Sequence, residues 1–300
     1  MIACNLKLSF LKPYVVKAQH FLLLFTGVLL LSINTSAIAE QGLFWKAEAP
    51  SGKTTYIFGT IHTDDNRVTN FSPTVINAIN ASDAFMMETL APSDPSVFMS
   101  QEGSLQDSLT EKELEQVAQL AEFHTMHRDA AMQMKPWLLA VVFDSPKPLT
   151  PFGQDNLLMT KAEEAGKEVI GIEDTAEHFG VMDNFTRDEQ LTMLRAVLKR
   201  SANTKERDFE RLMAAYLAGD ANKISQLDEK ITGGMLPPAV WARMRVKLID
   251  ERNVIMAQRI IEEGKAKNVF VAVGASHLAG KGGLIASLKN AGYKLSKVTK

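Results

Sequence analysis

Residues 269–273, Val-Phe-Val-Ala-Val, form an unbroken apolar run between two stretches of helical periodicity. A strand with no polar side has to be covered on both faces. The run follows a long amphipathic segment, 241–264. It precedes a helical segment at 283–291, ended by Gly292, and a last strand at 293–298. Two more short apolar strands obey the same grammar. One spans 83–88 and ends on Glu88; the other spans 167–172 and runs into Glu173. Buried strands that alternate with helices predict an α/β fold with a largely parallel sheet and flanking helices. At the front, 43–47 and 54–58 around Pro50-Ser51-Gly52 read as a hairpin, and Ser72-Pro73 opens a helix carrying Val75, Ile76 and Ile79 on one side. The stretch from about 104 to 240 is mostly helical, interrupted by one helix–strand piece at 157–172, and is expected to be an insertion lobe. The mixed-sign run from Lys199 to Arg211 reads as a solvated helix face.

Composition narrows the function classes. Of 300 residues, 46% are hydrophobic and 23% charged, which excludes a disordered chain and a polytopic membrane protein. With 33 basic and 35 acidic residues there is no bulk attraction for nucleic acid. Residues 1–39 hold no acid but three lysines, Lys7, Lys12 and Lys17. They also hold an apolar run at 21–33, short of the about 20 residues a membrane span needs, and Ala37-Ile38-Ala39. This predicts a signal peptide over 1–39, an exported, periplasmic domain over 40–300, and membrane attachment only if the leader stays uncleaved. The single cysteine, Cys4, lies in the leader. The exported part therefore has no disulfide, thiol nucleophile or sulfur ligand. A metal there would take His, Asp or Glu, which suits Mn, Co or Zn.

Five of the six histidines lie beyond the leader, and two of them, His62 and His277, stand three residues after a glycine that ends a buried strand. Glycine lets the chain turn sharply off the strand, and the carboxyl edge of an open parallel sheet is where ligands bind. Glu88 and Glu173 leave strand ends as well and should share that edge. Two imidazoles with one or two carboxylates would make a metal site able to activate water, with a spare carboxylate as base. Attack of the activated water on a carbonyl is the chemistry such a set allows. Binding without turnover is the alternative use of the same cleft.

An ordered set of motifs then resembles the TraB/GumN family of the TraB/PrgY/GumN/Tiki superfamily. They are Phe58-Gly59-Thr60-Ile61-His62, Glu88, Lys135-Pro136-Trp137, Gly153-x-Asp155, Gly171-Ile172-Glu173, Tyr216-x-x-Gly219-Asp220, Arg252-Asn253 and Val273-Gly274-Ala275-Ser276-His277-Leu278-x-Gly280. The resemblance covers about 42–298. It implies an EreA/ChaN-like α/β fold and kinship to Tiki proteins, described as Mn- or Co-dependent metalloproteases, so a peptide or protein is the substrate expected of a hydrolase here. ChaN-like kinship implies the alternative of sequestering a peptide or binding iron or haem without turnover. It also implies His62 and His277 as metal ligands or catalytic groups, Glu88 as the acid, and Arg252 as a supporting charge. Where that pattern expects glutamine, this chain has His178. Ser276 sits in a strand–turn–helix setting like a nucleophile elbow, but Leu278 replaces the second glycine. His124 and His127 have helical ligand spacing without an acid to complete it, and the methionines at 126, 132 and 134 read as core filling.

Overall fold

The computed structural model describes residues 42–299; the expected leader, Cys4 included, lies outside them. Six strands form one sheet: β1 (Phe44–Glu48), β2 (Thr54–Thr60), β3 (Ala84–Met87), β4 (Glu168–Gly171), β5 (Val269–Gly274) and β6 (Lys294–Lys297), in the order β4-β3-β5-β2-β1-β6. Only β1 runs against the rest, pairing antiparallel with β2 in the expected hairpin and with β6. The β2–β5, β5–β3 and β3–β4 pairs are all parallel. This is the expected mixed α/β architecture.

The central strand explains the layering. Val269, Val271 and Val273 of β5 enter one core with Met256 and Ile260 of the helix Arg252–Ala266 and Leu284 and Leu288 of the helix Leu284–Asn290. Phe270 and Ala272 point the other way, into a core with Phe85, Ile79 and Leu158 beneath the helices Pro73–Asn80 and Gln154–Glu164. Phe85 and Phe270 stack there at 5.8 Å between centroids and 11° between planes. Alternation of side chains along a strand turns one apolar run into two cores.

The helical stretch divides into two packing environments. Helices Glu111–Phe123, Pro136–Asp144 and Arg187–Leu198 build their own core around Val117, Leu139, Phe143 and Leu194. Helices Ala202–Leu217 and Ala221–Gly233 instead set Met213, Tyr216, Ile224 and Leu227 against Val68 and Ala275, beside the turn that leaves β5. Among the described residues no helix is long and apolar enough to cross a membrane.

The segment expected as one regular helix over 241–264 has an interruption. Helix Pro238–Arg245 continues through a π-helical turn at Val246–Glu251 into the helix Arg252–Ala266. Such a turn widens the spiral by one residue and often marks a functional position. Here it ends at Arg252.

Candidate functional site at the carboxyl edge of the sheet

Parallel register brings the site residues together. Thr60 lies opposite Gly274, and Met87 opposite both Ala272 and Gly171. The turns after β2, β5, β3 and β4 therefore leave one edge side by side, and they carry His62, His277, Glu88 and Glu173. The close approach depends on Gly274. A Cβ placed there would sit 3.1 Å from Glu88 Oε1, 3.6 Å from His62 Nε2 and 3.7 Å from His277 Cδ2. One point thus lies within 4 Å of three side chains from three strands.

The two histidines meet different surroundings. His277 is buried, and its Nδ1 donates to Asn253 Oδ1 at 2.7 Å. The Asn253 amide is oriented in turn by Nδ2, which donates to the Gly282 carbonyl at 3.0 Å. This network assigns the proton to Nδ1 and leaves a lone pair on Nε2, 3.8 Å from Glu88 Oε1 and 3.4 Å from Arg252 Nη1. Burial, helped by Arg252, pushes the His277 pKa down to about 4, so the ring is neutral at pH 7. His62 is exposed, and its Nδ1 donates to Asp155 Oδ2 at 2.9 Å. The Asp155 carboxylate raises its pKa. Asp155 also accepts Thr60 Oγ1 at 2.5 Å. The β2 turn is fixed from below by Gln154, whose Oε1 accepts from the Ile61 N–H at 2.9 Å and the Tyr216 hydroxyl at 3.0 Å.

Arg252 is the hub of the acids. Its Nη2 donates to Glu88 Oε2 at 2.5 Å and Glu173 Oε2 at 2.7 Å, and its Nε to Glu173 Oε1 at 2.9 Å. Burial alone would raise both carboxyl pKa values. The guanidinium prevails, aided by the Gly274 N–H at 2.7 Å on Glu88 Oε1 and by His178 on Glu173, and both stay ionised. The departure from the family pattern, His178, stands in the first turns of helix Thr175–Asp183, which Asp174 and Glu177 open as a capping box. Its Nδ1 lies 3.1 Å from Glu173 Oε2 and 4.0 Å from Glu88 Oε2. Among the described residues, Glu88, Glu173 and His178 are the group whose possible ligand atoms all lie within 4.8 Å of one another. The Arg252 guanidinium already sits among them as the counter-cation, with Nη2 also 3.1 Å from His178 Nδ1.

A cleft of about 680 Å³ opens over this edge. His62, Glu88, Asp155 and His178 line its floor, while Val141, Val142 and Leu149 form an apolar wall. Glu173, Arg252 and His277 stand behind the floor. The remaining sequence candidates resolve physically. The Ser276 hydroxyl makes a short hydrogen bond to Asp228, and the neighbouring His277 ring turns to Asn253, so Ser276 lacks the histidine base of a serine hydrolase triad. His124 is buried at the end of helix Glu111–Phe123, its pKa lowered to about 4 chiefly by desolvation. It forms no cluster with His127. Reasoning from residue types missed Asp155, Asn253, Gln154 and Asp228 as members of the site. The first two stood in quoted motifs, at the start of a helix and beside Arg252, and those positions were the available signal.

The fold and this edge define an α/β protein whose His, Glu and Arg side chains converge over parallel strand ends. The chain belongs to the TraB/PrgY/gumN family, whose sequence profile matches residues 43–297. It is also similar to an uncharacterized protein of Treponema pallidum (strain Nichols), 23% identical over 221 residues, which are 64% of this chain and 62% of that protein. The chain therefore spans less than two thirds of the relative's length.

Proposed function

We propose that this protein is an exported, periplasmic, metal-dependent hydrolase acting on peptides or proteins. The observation that carries the reading is the convergence at Gly274, where one point lies within 4 Å of Glu88 Oε1, His62 Nε2 and the His277 ring. The donor set suits a divalent ion of hard-to-borderline character, Mn or Co, with Zn not set apart by ligand type. His62, His277 and Glu88 would hold it. Bound there, such an ion would polarise a carbonyl and acidify a water.

The chain's own residues have separable duties in this reading. Asp155 and Asn253 each hold an Nδ1, which leaves His62 Nε2 beside Gly274 and His277 Nε2 3.8 Å from Glu88 Oε1; metal-binding imidazoles are commonly held through Nδ1 in this way. Arg252 fixes the Glu88 carboxylate, and Glu173 fixes Arg252, so Glu173 is a positioning residue. The cleft's apolar wall, with Val141 and Leu149 exposed on it, would take up substrate side chains. His62 must lose its proton to become a ligand, so metal uptake should strengthen as pH rises.

The test is the metal content, by mass spectrometry, of protein purified without chelator, beside the His62→Ala/His277→Ala double variant. Near-stoichiometric metal, lost in a folded variant, is the expected result. Equal metal in both proteins, or none in either after Mn or Co is supplied, overturns the reading. A second reading, sequestration of a peptide, iron or haem without turnover, draws on the closed network in which Arg252 occupies Glu173 and His178. A haem Soret shift that requires His62 or His277 would favour it; an unshifted band removes its haem form.

A further inference from the structure

The charged run from Lys199 to Arg211 does not spread around a helix. Part of it converges on a concave pocket of about 710 Å³ in the helical region, distinct from the cleft over the sheet. Six basic side chains line it: Arg195, Lys199 and Arg200 from the end of one helix, Arg207 and Arg211 from the next, and Lys230 from a third. One acid lines it with them, Asp208, which is buried. Asp208 sits within 3.6 Å of Arg200, Arg207 and Arg211 and holds their guanidinium groups toward one place. Outside the pocket wall, Arg195 pairs with Glu113 and Arg200 with Asp144. Lys199 and Lys230 have no acidic partner within 4.0 Å among the described residues. Six cations against three acids leave a concentrated positive field on a chain whose formal net charge is −2.

Several guanidinium forks around one carboxylate, with two unpartnered ammonium groups at the rim, form a polyvalent donor set for phosphoryl oxygens. A single carboxylate ligand would use only part of it. We propose that this pocket binds a phosphate-bearing anion, with Lys199 and Lys230 as its outer contacts and the Asp208-ordered arginines as its base. The chemistry is common to a soluble polyphosphorylated molecule and to an anionic phospholipid headgroup, so the test separates these sources.

The soluble probe is inorganic pyrophosphate, titrated calorimetrically into the protein at low salt. The lipid probe is vesicle co-sedimentation, with phosphatidylcholine vesicles containing phosphatidylglycerol against phosphatidylcholine alone. The comparison proteins are Lys199→Glu/Lys230→Glu, two exposed positions whose change breaks no ion pair, Lys53→Glu in the β1–β2 turn, and His62→Ala in the cleft. Binding of either probe should weaken about tenfold or more in the double variant, persist in Lys53→Glu and His62→Ala, and fall with added salt. Pyrophosphate binding identifies a soluble ligand, and vesicle binding alone identifies a headgroup. No binding of either probe to the unaltered protein overturns the proposal. Loss in Lys53→Glu equal to that in the double variant does so too, because it would show only a general charge effect. Persistence of pyrophosphate binding in His62→Ala separates this pocket from any pyrophosphate drawn to a metal in the cleft, so failure of the metal reading and failure of this one remain distinguishable.

Discussion

The two Gly-x-x-His turns share a sequence pattern and a place on the sheet, yet they prepare opposite imidazoles. The turn after β5 buries His277 against an amide and beside a guanidinium, and its ring is neutral. The turn after β2 leaves His62 in the open cleft against a carboxylate, which favours the cation. A motif fixes where a side chain starts. Its charge state is set by the partner on Nδ1 and by access to water. One histidine is ready to accept a ligand or proton, and the other must first give a proton up.

The largest disturbance should come from Arg252, on which the buried half of this contrast rests. Arg252→Leu leaves Glu88 and Glu173 as buried carboxylates without their cation and should lower stability by about 3–5 kcal/mol in urea unfolding. A loss under about 1 kcal/mol would show that the acids find another counter-charge. Next in size are the glycines near the ends of β2 and β5, where neighbouring atoms approach the backbone closely. A Cβ on Gly59 would meet Leu278 Cδ1 at 2.7 Å and the Ala275 Cα at 3.2 Å, so Gly59→Ala should cost about 1–3 kcal/mol. Gly274→Ala meets a carboxylate oxygen at 3.1 Å and should cost less while moving Glu88. The reverse order of midpoints would contradict this account of the turns.

Acid titration separates the histidines by sign. The raised pKa of His62 adds stability that is complete below 6.5 and is lost as pH rises through its folded value. The lowered pKa of His277 works oppositely. Between 6.5 and about 4 only the unfolded chain takes that proton, so stability falls as pH drops. Urea midpoints followed from about pH 7 to 5 should decline less steeply in His277→Asn than in the unaltered protein, and more steeply in His62→Asn. A change of slope in the same direction in both variants, relative to the unaltered protein, would end the contrast. The smallest and sharpest change is Asn253→Asp, which gives His277 the kind of partner His62 has. Its pKa should rise by about one unit or more in an NMR titration, and an unchanged value would mean that burial alone sets it.

Much of this was legible in residues 269–277. The apolar run required a doubly covered strand, and the glycine after it required a turn toward the ligand-binding edge. Glu88 and Glu173 were legible for the same reason, as acids that end apolar runs. Arg252 entered only through family resemblance, because periodicity shows a helix there but not a π turn. Apolar spacing over 241–264 carries no trace of that turn, which inserts at Val246–Glu251 between two regular helices. The roles of Asp155 and Asn253 were hidden for another reason. Each acts on a histidine supplied by another element, Asp155 across 93 residues of chain. The charges near Lys199 alternate in sign along the sequence, and only helix packing shows that their basic members share a hollow with Lys230.

The strand order has a consequence for how the molecule comes into being. β5, the strand that joins β2 to β3, is the fifth of six to leave the ribosome. Until it arrives, β2 and β3 each present an open edge, and the hairpin and the β3–β4 pair are separate pieces. Closing the sheet means threading one late strand between two early ones, a step dominated by contacts more than 180 residues apart, such as Ala84 with Val269. A nascent chain lacking its last forty residues could still pair β3 with β4 and so set Glu88 beside Glu173, but it would hold His62 apart from them and would lack His277 altogether. The edge that carries all four side chains therefore comes into existence only when β5 joins the sheet.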